Sequence, residues 1–214
     1  MGSTGPTLVA RVTEHPLSRF LVNHLPVPLA LARPFLLRDD ARENAHDGWG
    51  RLAGPSEDAR YAAVRQVCEL YAGTGRVLDV GCSRGLLQEG LTYGSYVGID
   101  ADERPLAYAA SRADERTRFL RADADTYESR EPVDAVVFNE MLYYLPDPVR
   151  TVRRLAAQLA PGGVVVISMY RAWATDRIRR RLAADLPVVD SREVIGSSGM
   201  VWGLTVYRPG GRHT

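Results

Sequence analysis

Val77-Leu78-Asp79-Val80-Gly81-Cys82-Ser83-Arg84-Gly85 is the stretch whose reading decides the fold. A short apolar run carrying one acid reads as a buried strand, and it stops at two glycines. Gly81 permits backbone angles that a Cβ resists and lets a ligand lie against the main chain. Gly85 allows close packing where a helix is predicted to begin and run through Leu91. Such a turn presents free amides to a ligand. A plain strand-to-helix turn also uses glycine, so the two glycines alone leave both readings open.

Outward from this turn the chain alternates regularly. Upstream, Pro55-Ser56-Glu57-Asp58 opens a predicted helix, with Ser56 as the amide acceptor and two acids at its positive end. Ala62, Val64, Val67, Cys68 and Tyr71 recur at helical spacing, and Gly73-Thr74-Gly75 ends the helix. Downstream, Tyr96 to Asp100 is a second strand, followed by a helix near 104–114. Arg118-Phe119-Leu120 begins a third strand and Asp134 to Asn139 forms a fourth. A helix from Pro148 to Ala160, a strand from Gly163 to Met169 and a helix near 173–184 come next. Two weaker strands near 187–190 and 201–207 close the pattern. Strands alternating with helices predict an α/β fold with a mostly parallel sheet covered on both faces. In such sheets ligands bind beyond the carboxyl ends of the strands, so the loops after each strand are where chemistry is sought. Residues 1–55 follow no such period and are set apart as a separate segment, with 56–214 as the core.

Composition bounds the function. The 214 residues favour one domain with a core large enough to need no disulfide or metal staple. A formal net charge of +1 excludes a strongly basic nucleic-acid binder as the default. All 27 basic residues are arginine, the mark of GC-rich coding, which points to a bacterium rich in secondary metabolism. The 177–181 run (RIRRR) is read as a solvated helix face. Cys68 and Cys82 are isolated, which excludes a disulfide scaffold or zinc knuckle and suits a reducing cytoplasm. No apolar run approaches the ~20 residues of a membrane span. Three prolines and Arg33 interrupt the apolar stretch 25–37.

Two further strand ends carry acids. Asp100 closes the second strand 19 positions after Gly81, where a carboxylate can accept both hydroxyls of a ribose. The competing role is a helix N-cap, which Asp102 could equally fill. Asp123-Ala124-Asp125 follows the third strand, where a carboxylate can accept from an exocyclic amine; a solvated turn is the plain alternative.

Glycines, a ribose acceptor and a base acceptor, in that order over residues 56 to about 207, resemble the class I S-adenosylmethionine-dependent methyltransferases. The resemblance implies a Rossmann-like, seven-stranded sheet, mostly parallel, with an antiparallel last strand at Val201 to Tyr207. It implies S-adenosylmethionine as cofactor, with Gly81 and Gly85, and Cys82 between them, against its methionine and ribose. Asp79 is implied near the methionine amino group or in ordering the turn, Asp100 and Ala101 at the ribose, Asp123 and Ala124 at the adenine, and Asn139 near the methionine. The family's usual glycine is replaced by Ser83, which lacks glycine's range at positive φ. A nicotinamide-dependent oxidoreductase is the weaker alternative, because its G-x-G-x-x-G is absent. A non-catalytic partner subunit on the same fold is another.

Methyl transfer mainly requires alignment of a nucleophile with the methyl group, with a base only where the nucleophile arrives protonated. Glu140, after the fourth strand, is the candidate base or orienting acid; pairing with arginine is its plain alternative. Tyr143 and Tyr144 are candidate pocket walls or packing residues. His46 is a second candidate base and Trp49 a candidate stacking surface, both in a segment expected to form a lid over the substrate. Arg60 and Tyr61 either contact the cofactor carboxylate or pair on the helix surface. Asn139-Glu140-Met141-Leu142 lacks the paired prolines of the family's nucleic-acid enzymes, and Glu-x-Leu-Tyr-Tyr-Leu resembles its small-molecule branch. The expectation is a cytoplasmic enzyme methylating a small molecule, a natural-product intermediate, with neither nucleic acid nor membrane as partner.

Overall fold

The computed structural model describes residues 54–210. Its elements in chain order are α1 (Asp58–Ala72), β1 (Arg76–Val80), β2 (Ser95–Asp100), α2 (Glu103–Ala109), β3 (Thr117–Arg121), β4 (Val133–Asn139), α3 (Pro148–Ala156), β5 (Leu159–Tyr170), α4 (Trp173–Ala183), β6 (Val188–Ile195) and β7 (Val201–Tyr207). The seven strands form one sheet in the order β3-β2-β1-β4-β5-β7-β6. β1 to β5 pair in parallel, and β7 runs antiparallel to both β5 and β6.

Alternation along the central strands divides the core. Leu78 and Val80 of β1, Val136 and Phe138 of β4, and Val165 and Ile167 of β5 face α3 and α4, meeting Val152, Leu155, Ile178 and Leu182. Val77, Ala135, Val137, Val164 and Val166 face the other way and meet Val64, Val67 and Cys68 of α1. A period of two in the strands thus sends neighbouring residues to opposite layers. The same alternation puts Asp79, Asn139 and Ser168 on the α1 side at the carboxyl ends of three adjacent strands.

Three expectations are corrected. The helix expected through Leu91 does not form. Residues 82–91 are three successive tight turns, closed by the amides of Gly85, Gln88 and Leu91 on the carbonyls of Cys82, Gly85 and Gln88. Positive φ at Ser83, Gly85 and Gly90 interrupts any right-handed helix there. Ser56 does not cap α1: the helix starts at Asp58, Glu57 occupies the cap position, and no side chain bonds the free amides. Glu57 instead gives its carboxylate to Arg60. The last antiparallel pair is also longer than expected, because β6 extends to Ile195.

Candidate active site

The glycine turn is clamped onto β2. The amides of Gly81 and Cys82 both donate to the carbonyl of Ile99, at 2.8 and 3.0 Å. Gly81 has φ +73°, and a Cβ there would fall 2.8 Å from the Cβ of Met141, on the segment after β4. The turn and that segment therefore approach each other as closely as they do only because position 81 has no side chain. Gly85 serves packing: a Cβ there would meet the Phe119 ring at 2.6 Å. Ser83 adopts φ +49°, the left-handed region that glycine enters most readily, so serine keeps a backbone conformation here that its Cβ disfavours.

Asp100 joins the turn to β2. Its Oδ2 accepts from the Ser83 amide at 2.8 Å and its Oδ1 from the Asp102 amide at 2.9 Å. Asp102 is the N-cap of α2, accepting from the Arg104 amide, so the cap falls to Asp102 and not to Asp100. Burial raises the Asp100 carboxyl above its ordinary range, and the backbone donors oppose that rise. Asp123 lies in an exposed turn, its Oδ1 accepting from the Asp125 amide. Ala124 is buried beside it, its carbonyl held at 2.5 Å by Arg154 of α3.

Asp79 is 2% exposed. Its Oδ2 accepts from the Tyr96 hydroxyl at 2.5 Å, while its Oδ1 is enclosed and has no partner among the described residues. Burial pushes its carboxyl up to about 7 despite the Tyr96 hydroxyl, with Asp100 adding to the rise.

Glu140 takes φ +60°, which turns its side chain back toward the sheet. Its amide donates to the Ser168 carbonyl at 2.9 Å. Its Oε1 accepts from the Tyr170 amide at 2.5 Å and its Oε2 from the Tyr143 hydroxyl at 3.1 Å. The residue is partly buried, and desolvation pushes its carboxyl up to about 7 against the pull of Arg60 and these two donors. Tyr143 and Tyr144 lie with ring centroids 4.6 Å apart beside it.

Arg60 is 1% exposed, so surface pairing does not describe it. It donates two bonds to Glu57, at 2.9 and 2.7 Å, and a third to Asn139 Oδ1. Its guanidinium lies 4.4 Å from the Tyr61 ring centroid and 5.8 Å from that of Trp202. Tyr96, Tyr170 and Trp202 went unmarked in the sequence. Tyr96 reaches Asp79 by register across two strands, and Tyr170 contributes only an amide, which no side-chain motif signals. His46 and Trp49 lie outside the described residues.

These residues suit an adenosyl amino acid. The glycine turn is close enough to its neighbours that only an absent Cβ leaves room, the acid at the end of β2 bonds that turn at Ser83, and Asp79 holds an enclosed acceptor oxygen without a partner among the described residues. The strand order with antiparallel β7 is that of the class I S-adenosylmethionine-dependent methyltransferase fold. The profile of a methyltransferase-domain family matches residues 40–197, and the chain belongs to that family. A ubiquinone biosynthesis O-methyltransferase of Pseudomonas entomophila is 35% identical over 134 residues, covering 58% of each chain, so the match spans little more than half of that relative. Among solved structures, the N-methyltransferase NodS of Bradyrhizobium japonicum with S-adenosyl-L-homocysteine has a TM-score of 0.67 at 23% identity, over 75% of this chain and 91% of its own. The 1,6-didemethyltoxoflavin-N1-methyltransferase of Burkholderia thailandensis, solved with 1,6-didemethyltoxoflavin and S-adenosylhomocysteine, has a TM-score of 0.66 at 22% identity, over 86% and 92%. No helix among the described residues is long and apolar enough to cross a membrane.

Proposed function

We propose that this protein is an S-adenosylmethionine-dependent methyltransferase of the cytoplasm, acting on a small molecule that is an intermediate of a bacterial natural product. The observation that carries the reading is the bond between Asp100 and the Ser83 amide, which ties the candidate ribose acceptor to the glycine turn. Named relatives that act on small molecules support it. The strand order speaks against a nicotinamide enzyme, whose doubly wound sheet is wholly parallel at that end. Ser83 lends no weight to a non-catalytic subunit, because it keeps the turn's left-handed geometry.

When bound, the cofactor supplies an electrophilic methyl group on a sulfonium. Gly81, Cys82 and Gly85 would lie against it, Asp79 would meet its amino group, Asp100 and Ala101 would hold the ribose, Asp123 and Ala124 the adenine, and Asn139 the methionine. Glu140 takes the proton of an acceptor that arrives protonated. Tyr143 and Tyr144 wall the substrate side, with Trp49 and His46 assigned to the lid.

Calorimetry tests the reading. Purified protein is expected to bind S-adenosylmethionine and not NADH; the reverse would end it. Asp100→Ala removes an anionic acceptor for two hydroxyls, worth about 2–3 kcal/mol, and is expected to weaken binding by roughly 30- to 100-fold. Unchanged affinity in a variant that still melts cooperatively would remove Asp100 from the ribose site.

A further inference from the structure

α3 ties down the loop that follows β3. Thr151, Arg154 and Gln158 stand three and four residues apart, on one side of the helix and of the residue just past its end. The Thr151 hydroxyl donates to Asp125 Oδ1. Arg154 gives one terminal nitrogen to the Ala124 carbonyl at 2.5 Å and the other to the Tyr127 carbonyl at 2.6 Å. Gln158 donates to the same Tyr127 carbonyl at 3.2 Å and accepts from the Ser129 amide at 2.7 Å. Arg154 has no ion pair among the described residues, whereas its neighbour Arg153 pairs with Asp185. Its guanidinium fork is spent on two carbonyls of one loop, a geometry that a single ammonium does not match.

Asp123 closes the same loop from within. Its Oδ1 accepts from the Asp125 amide, and its carbonyl accepts from the amides of Thr126 and Tyr127. Its Oδ2 and the amide of Ala124 bond nothing among the described residues. Adjacent residues thus offer one acceptor and one main-chain donor. That pair complements the amino group and ring nitrogen of a 6-aminopurine. It mismatches a 6-oxopurine, whose oxygen and ring N–H present the reverse order. Because the two groups sit on different residues, a rotation of the main chain between them would part them.

We propose that Arg154 is a positioning residue for base recognition: by holding the carbonyls of Ala124 and Tyr127 it keeps the Asp123 carboxylate and the Ala124 amide in the register that selects an amino-substituted purine. The inference rests on the adenine placement proposed above and adds what holds that placement in order. Arg154 itself touches no ligand. It acts through the loop, and Thr151 and Gln158 brace the same loop on either side of it.

The experiment is titration calorimetry with S-adenosylhomocysteine and with S-inosylhomocysteine, which differ only at that edge of the base. Wild-type protein is expected to prefer the adenosyl ligand by roughly 100-fold or more, because a site built to hydrogen-bond one edge rejects its reverse. Arg154→Ala is expected to weaken the adenosyl ligand by about 10- to 30-fold and the inosyl ligand by less than about threefold, so the preference shrinks. Arg154→Lys, which keeps the charge without the fork, is expected to fall between, and it reads the same ratio if the alanine variant does not fold. Arg153→Ala, at the exposed neighbour, is expected to keep the wild-type ratio. Equal weakening of both ligands in the Arg154 variants overturns the proposal, because general loosening of the loop spares the ratio. An unchanged preference overturns it too. A wild type that shows no preference for the adenosyl ligand overturns this inference and leaves the cofactor reading standing, whereas binding of neither ligand overturns both.

Discussion

Arg60→Ala is expected to destabilise the protein by about 3–5 kcal/mol, the loss seen when one partner of a buried ion pair is removed. Four neighbours lose their complement together. Glu57 keeps a carboxylate that is only 13% exposed, Asn139 keeps an Oδ1 with no donor in its place, and the rings of Tyr61 and Trp202 lose the cation beside them. For a domain of this size that is a fall in Tm of roughly 10 °C. Glu57→Gln also leaves a buried charge without its partner, that of Arg60, and is expected to destabilise too, by less where the amide oxygen keeps one acceptor for the guanidinium. A melting temperature unchanged by Arg60→Ala would show that the pair with Glu57 does no more than a surface contact.

Gly81→Ala carries the second large effect, and two separable causes produce it. The backbone sits at φ +73°, where an L side chain costs about 1–2 kcal/mol. The new methyl would also stand 2.8 Å from Met141 Cβ, an overpacking expected to cost another 1–3 kcal/mol. Either the turn or the Met141 segment must yield, and both belong to the proposed cofactor crevice, so binding of S-adenosylmethionine should fall by at least tenfold. Trimming Met141 to alanine in the same chain removes some of the crowding but none of the backbone strain. Chemical denaturation of the two single variants and the double variant is therefore expected to show partial recovery. Strict additivity would mean that the two positions do not press on each other.

What the sequence showed of all this follows from where the information is local. Val77 to Val80 reads as a strand because four consecutive residues buried on both faces need no partner to announce themselves. The alternation of strands and helices then fixed the sheet. The 83–91 segment misled because Leu86, Leu87 and Leu91 have helical spacing, while the left-handed angle at Ser83 is set by the Asp100 carboxylate arriving from another strand. The burial of Arg60 was hidden for a similar reason: arginine is seldom buried whole, and its burial depends on Glu57, Asn139 and Trp202 converging from the cap of α1, from β4 and from β7. Asp100 and Glu140 were singled out by position after a strand, but their bonding partners belong to tertiary register.

Gly98 leaves on β2 the space that the Cys82 sulfur and the Phe119 ring fill; a Cβ there would lie 2.8 Å from each. Cys82 is 7% exposed, and burial holds its thiol far from the reactive thiolate. Labelling of this sulfur therefore waits on the loop coming off its neighbour, and the pace of modification clocks how often the glycine turn opens. A ligand that seals the loop should slow that clock in proportion to its occupancy, which gives a reporter built into the chain.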